Sequence, residues 1–159
     1  MTETKVLTAQ QVTEIKALYK HFPVKSAACI EGLKLIQDYH RWVSDDAVQE
    51  LAEILDMSAD EIDSVATYYN LIFRRPVGRH VILVCDSVSC WVMGYEEIIN
   101  HLKDKLGIAY GETTQDDRFT LLPICCLGTC DRAPALMIDE DLHRDLTTDK
   151  LDEILEKYT

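Results

Sequence analysis

The sequence predicts an α+β protein, a helical bundle over residues 1–77 followed by a small α/β layer domain over residues 78–159. Two patterns carry this expectation. Up to about residue 70 the apolar side chains recur at helical spacing behind good capping residues. After the break Arg74-Arg75-Pro76-Val77-Gly78 they gather instead into short β-branched runs. A third observation locates the chemistry: five of the six cysteines lie in two tight groups, both in the second part.

The first half reads as four helices. Thr8 is placed to cap a helix over 9–20 that puts Val12, Ile15, Leu18 and Tyr19 on one face. Pro23 interrupts the chain. A second helix, over 26–41, carries Cys29, Ile30, Leu33, Ile36 and Tyr39 at helical spacing, and Cys29 reads as core. Ser44 or Asp45 caps a third, with Val48, Leu51, Ala52, Ile54 and Leu55 inward. Ser58-x-x-Glu61 is a capping box that opens a fourth, running through Val65, Tyr68 and Tyr69. Short links between helices of this length imply a bundle. In the second half, 80–85 reads as a buried strand and 94–106 as an amphipathic helix stopped by Gly107. Strands follow at 119–124 and 135–138, then an acidic turn and a closing helix over 148–158. The order is β–α–β–β–α, a layered α/β arrangement.

Composition excludes several functions. The chain has 159 residues, 47% apolar and 28% charged, with a formal net charge of −12. Residues 1–77 hold 8 basic and 12 acidic side chains, residues 78–159 hold 8 and 16. Such a surface repels phosphate backbones, so no nucleic-acid partner is expected. The acidic excess around 139–141 and 149–156 suits either solvent or a basic partner. Residues 1–13 are polar, with no signal-peptide core. No apolar run approaches the ~20 residues of a membrane span, so a cytosolic protein without direct membrane insertion is expected. In a reducing compartment, clustered cysteines indicate metal or redox chemistry rather than disulfides.

The first group is Cys85-Asp86-Ser87-Val88-Ser89-Cys90, a C-x4-C; the second is Cys125-Cys126-Leu127-Gly128-Thr129-Cys130. Each begins where a predicted strand runs into a loop, so both can reach one end of the sheet. Four converging thiolates suit an iron–sulfur cluster or a structural zinc. Zinc favours C-x2-C knuckles, which are missing here, whereas C-x4-C occurs in plant-type [2Fe–2S] proteins. Spacing does not choose between Cys125 and Cys126. Neighbours on an extended chain point apart, so one faces the site and the other is expected to be a buried thiol. Gly128, lacking a Cβ, is expected to let the loop fold around a bulky centre. No phosphate-binding glycine loop is present, and His21, His40, His80, His101 and His143 are scattered. No catalytic residue is expected.

The motifs Arg41-Trp42-Val43, Val65-Ala66-Thr67-Tyr68-Tyr69, Arg74-x-Pro76-Val77-Gly78, C-x4-C and Cys126-Leu127-Gly128-x-Cys130-x-x-x-Pro134 form a specific combination. Through them the chain, from about residue 26 onward, resembles the small [2Fe–2S] subunits of bacterial respiratory NADH:quinone oxidoreductase (complex I). The departures are Arg41, where the family commonly has Gly, and Tyr68 in place of Phe.

The resemblance implies a thioredoxin-like second domain and one [2Fe–2S] cluster on Cys85, Cys90, Cys126 and Cys130. Cys125 falls where many members carry Glu, which leaves it a neighbour. It further implies a partner subunit that holds FMN and binds NADH, a neighbouring iron–sulfur subunit, and a place in the peripheral arm on the cytoplasmic side of the inner membrane. The cluster would take single electrons from reduced flavin, lying off the main cluster chain that leads to quinone. Two alternatives remain open on the sequence: the equivalent diaphorase subunit of an NAD-linked hydrogenase or formate dehydrogenase, and a zinc-stabilised interaction module. Arg132, beside Cys130, is expected either to favour the reduced cluster or to be an ordinary surface arginine. Tyr68, Tyr69 and Phe73 are expected either to meet the flavin subunit or to be internal core.

Overall fold

The computed structural model describes residues 5–159. Residues 1–4, the start of the polar N-terminal stretch and of the predicted bundle, lie outside the described residues. The chain divides into two compact units, Met1–Pro76 and Val77–Thr159.

The first unit is helical because its caps and apolar stripes agree. Helix α1 (Ala9–Leu18) opens on a capping box between Thr8 and Gln11, and the chain turns through short 3-10 segments on either side of Pro23. Helix α2 (Cys29–His40) ends at Arg41, which takes a left-handed conformation with φ 68°. Glycine adopts that geometry at a helix end more readily than arginine does. Helix α3 (Asp45–Leu55) is capped by Ser44 rather than Asp45: the Ala47 amide donates to Ser44 Oγ at 3.2 Å. Helix α4 (Ala59–Tyr68) has the Ser58–Glu61 box. Each cap contributes about 1 kcal/mol. The stripes meet in a core of Ile15, Leu33, Ile36, Leu51, Leu55 and Ile62, each worth roughly 1.5–3 kcal/mol on burial. Cys29 belongs to this core, and burial pushes its thiol up to about 11. Arg74 binds the bundle's loops to α3 and α4. Its Nε lies 2.8 Å from Asp63 Oδ1, its Nη2 2.6 Å from Asp45 Oδ1, and its Nη1 donates to the Val43 carbonyl.

The second unit holds a four-stranded sheet in the order β2-β1-β3-β4, made of β1 (His80–Cys85), β2 (Phe119–Ile124), β3 (Leu136–Ile138) and β4 (Asp141–His143). β1 pairs parallel with β2 and antiparallel with β3, and β3 pairs antiparallel with β4. Every residue of β1 after His80 is buried, as a central strand covered on both faces requires. Helices α6 (Tyr95–Leu106) and α7 (Thr148–Leu155) cover the face of Ile82 and Val84 with Ile98, Leu102, Leu151 and Leu155. Gly78 precedes β1 where a Cβ would lie 3.0 Å from the Asp117 carbonyl oxygen and 3.1 Å from the Arg118 and Phe119 backbone, so a side chain there would press on the backbone leading into β2.

Two elements depart from the predicted β–α–β–β–α order. A short helix, α5 (Val88–Val92), occupies the loop inside the first cysteine group. β4 lies within what reads as an acidic turn, because Asp141-Leu142-His143 is largely exposed and has no apolar alternation.

Candidate metal centre

The topology brings the cysteine groups together. β1 and β2 run parallel with Cys85 opposite Ile124, so both strands leave the sheet at the same end. Cys85 is the last residue of β1, and Cys125 follows the last residue of β2. The Asp86 amide donates to the Ile124 carbonyl at 3.0 Å, and the Cys85 amide to the Ala135 carbonyl at 3.2 Å. The two loops thus start side by side, with 133–135 next to them.

Cys85 and Cys90 are buried with Ala133 and Ala135, against Tyr95, Ile124 and Leu127. Cys90 is the one buried residue of α5; its neighbours Val88, Trp91, Val92 and Met93 face outward. Cys126 and Cys130 lie on the open side, their Sγ atoms 3.7 Å apart. The Gly128 amide donates to Cys126 Sγ at 3.3 Å. Gly128 has φ 75°, and a Cβ there would meet nothing within 4 Å. Backbone conformation therefore selects this glycine, not crowding by neighbouring protein atoms.

The thiols are linked electrostatically. Burial, then a hydrogen bond with Cys85, pushes Cys90 up to about 11, and the Ala135 backbone works against this. Cys130 also bears on Cys90. The Gly128 N–H, then Cys130, holds Cys126 below the ordinary thiol range, aided by Ser87 and Cys85. These interactions run among Cys85, Cys90, Cys126 and Cys130, of which two are buried and two exposed.

Cys125 corrects one expectation. It is exposed, not a buried thiol, and it offers its carbonyl rather than its side chain: Cys85 Sγ donates to Cys125 O at 3.5 Å. The strand ends at Ile124, so strand alternation no longer assigns Cys125 and Cys126 to opposite faces.

The donor set suits a soft metal or an iron–sulfur group. No group of three or more His, Cys, Asp or Glu side chains among the described residues is arranged around a single ion. A second observation supports the fit. Thr129 Oγ1, between Gly128 and Cys130, is buried without a hydrogen-bond partner, a state that costs about 1–3 kcal/mol. In the sequence, Ser87 and Thr129 carry no signal beyond their positions inside the two cysteine loops. A cleft in the helical unit, among Lys16, Tyr19, Lys25 and Glu53, contains none of the cysteines. Arg132 is paired with Asp145, Nε to Oδ2 at 2.7 Å.

Residues 15–159 match the model of the thioredoxin-like [2Fe-2S] ferredoxin family. The chain is 46% identical over 157 residues to the E subunit of NADH-quinone oxidoreductase from Pseudomonas aeruginosa PAO1, covering 99% of this chain and 95% of that one. It is 48% identical over 157 residues to the protein of the same name from Escherichia coli K12, with the same coverage. Among solved structures, an air-oxidised NAD+-reducing [NiFe]-hydrogenase aligns with TM-score 0.63 and 29% identity over 70% of this chain, which spans 20% of that chain. No helix among the described residues is long and apolar enough to cross a membrane.

Proposed function

This chain belongs to the thioredoxin-like [2Fe–2S] ferredoxin family, and from that membership we propose that it serves an NADH:quinone oxidoreductase as an electron-carrying subunit, with one [2Fe–2S] cluster on Cys85, Cys90, Cys126 and Cys130. The observation that carries the proposal is the parallel β1–β2 pair, whose common end delivers both cysteine groups to one place. The cluster, when bound, takes up and releases single electrons. The protein's part is to hold it and set its electrostatics. Cys85 and Cys90 anchor its buried side, while Cys126 and Cys130 hold the outer side. The Gly128 N–H already points at Cys126 Sγ, and a donor there stabilises negative charge on sulfur. The net charge of −12 acts in the opposite direction.

The electron donor in this reading is reduced FMN on a partner subunit that binds NADH, and a neighbouring iron–sulfur subunit completes the peripheral arm on the cytoplasmic side of the membrane. The chain has no substrate site of its own and forms part of a larger translocase. Residues 78–159 hold the cluster, and residues 1–77 supply a surface for the flavin subunit. Tyr68 and Tyr69 are exposed and meet edge to face with ring centroids 5.1 Å apart.

The hydrogenase likeness favours a second reading, a diaphorase subunit of an NAD-linked hydrogenase. The fuller and closer likeness to the quinone-reductase subunits supports the first. The test is anaerobic purification with metal and sulfide analysis, followed by mixing with the flavin subunit and NADH. Equal iron and acid-labile sulfide, and uptake of a single electron per chain, are expected. Zinc without sulfide would replace the proposal with the zinc-stabilised module.

A further inference from the structure

Among the described residues, one buried side-chain oxygen or nitrogen lacks a hydrogen-bond partner, and it is Thr129 Oγ1. Thr129 is only 8% exposed. Its backbone is engaged, the carbonyl accepting from the Arg132 amide at 3.0 Å. The hydroxyl, able both to donate and to accept, has no protein partner. A buried threonine that serves packing alone would gain by becoming valine, since the two have nearly the same shape and valine leaves no polar group stranded. The position is also specific. Thr129 sits between Gly128, whose amide already donates to Cys126 Sγ, and Cys130, whose Sγ lies 3.7 Å from that sulfur.

We infer that the Thr129 hydroxyl donates a hydrogen bond to a sulfur of the cluster and raises its reduction potential. The inference rests on the four-cysteine reading of the site. Sulfur is the acceptor chemistry gathered in this loop, and it is supplied in full only when the cluster is bound. A hydrogen bond to a charged acceptor strengthens as the acceptor gains charge. Reduction adds one negative charge, so the donor favours the reduced state.

The test is a redox titration followed by EPR on anaerobically purified wild type, Thr129→Val, Thr129→Ala and Thr129→Ser. Without the hydroxyl, the reduced-to-oxidised ratio at fixed potential should fall about tenfold, which is about 59 mV for one electron. Thr129→Ser should restore the wild-type value. Electron–nuclear double resonance of the reduced wild type should show an exchangeable proton coupled to the cluster that Thr129→Val lacks. If Thr129→Val fails to load, Thr129→Ala gives the same reading. Loading by Thr129→Ser alone, at the wild-type potential, would also assign the effect to the hydroxyl. A loaded Val or Ala variant with unchanged potential and the same exchangeable protons overturns the inference but leaves the cluster reading intact. A wild type without iron and sulfide overturns the cluster reading itself.

Discussion

Arg132 and Asp145 hold each other twice, side chain to side chain with Nε 2.7 Å from Oδ2, and backbone to backbone with the Asp145 amide donating to the Arg132 carbonyl at 2.9 Å. The guanidinium two residues after Cys130 is therefore a half-exposed charge held in an ion pair. It ties the second cysteine loop to the segment ahead of α7. Because the pair is neutral as a whole, removing either member should move the potential in opposite directions. Arg132→Glu should lower it and Asp145→Asn should raise it. Both groups are about half exposed, so each shift should stay below about 1 kcal/mol, or roughly 40 mV, and shrink with salt. Shifts of the same sign in a redox titration would show that loop distortion, not charge, dominates.

Arg74 is the polar joint of the helical unit. Its side chain is only 19% exposed and meets two carboxylates and a carbonyl. Arg74→Ala should cost about 2 kcal/mol, because hydrogen bonds to charged groups are the stronger kind and their partners are left unpaired. Lys34→Ala removes an exposed pair with Glu31 and should cost under about 0.5 kcal/mol. Urea unfolding followed by far-ultraviolet circular dichroism reads both; equal effects would contradict the assignment.

Asp152 links α7 to α6 through Lys105 at 2.6 Å and His101 at 2.7 Å. These partners, Lys105 first, hold its carboxyl below the ordinary value of 3.8. A carboxylate lowered on folding adds stability above its unfolded value, and that stability disappears as pH falls through the lowered folded value. Wild type should therefore be more stable than Asp152→Asn at neutral pH, with the gap closing in strong acid. A gap independent of pH would show that the carboxylate's charge does not matter.

Tyr68 is 81% exposed and cannot be core of its own unit. Tyr68→Ala should leave thermal stability nearly unchanged and weaken binding to the flavin subunit roughly tenfold, or ~1.4 kcal/mol. Unchanged affinity in a titration against that subunit would remove the tyrosine from the interface.

The main elements are readable in the sequence wherever one signal dominates. β1 is a continuous apolar run that a central strand buries, and β2, at the sheet edge, is readable from its apolar first half. The cap at Thr8 and the box at Ser58 mark helix starts by chemistry alone. α5 is not readable, because its apolar residues face outward and only Cys90 turns in, which reverses the usual amphipathic pattern. β4 is too short and polar to carry a period. Cys125 misleads for a related reason: strand alternation does not reach past Ile124, where the loop has already taken over. Thr129 is invisible as a special residue, since its stranded hydroxyl is a property of packing and not of spacing.

In the proposed site the second pair of ligands is Cys126 and Cys130, with Cys125 outside. The most direct measurement is the EPR spectrum of the reduced protein, compared between Cys126→Ser and Cys125→Ser. Cys126→Ser should lose or alter the signal, and Cys125→Ser should keep it nearly unchanged. The reverse result, with Cys125 essential and Cys126 dispensable, would contradict the account and shift the second ligand pair to a C-x4-C.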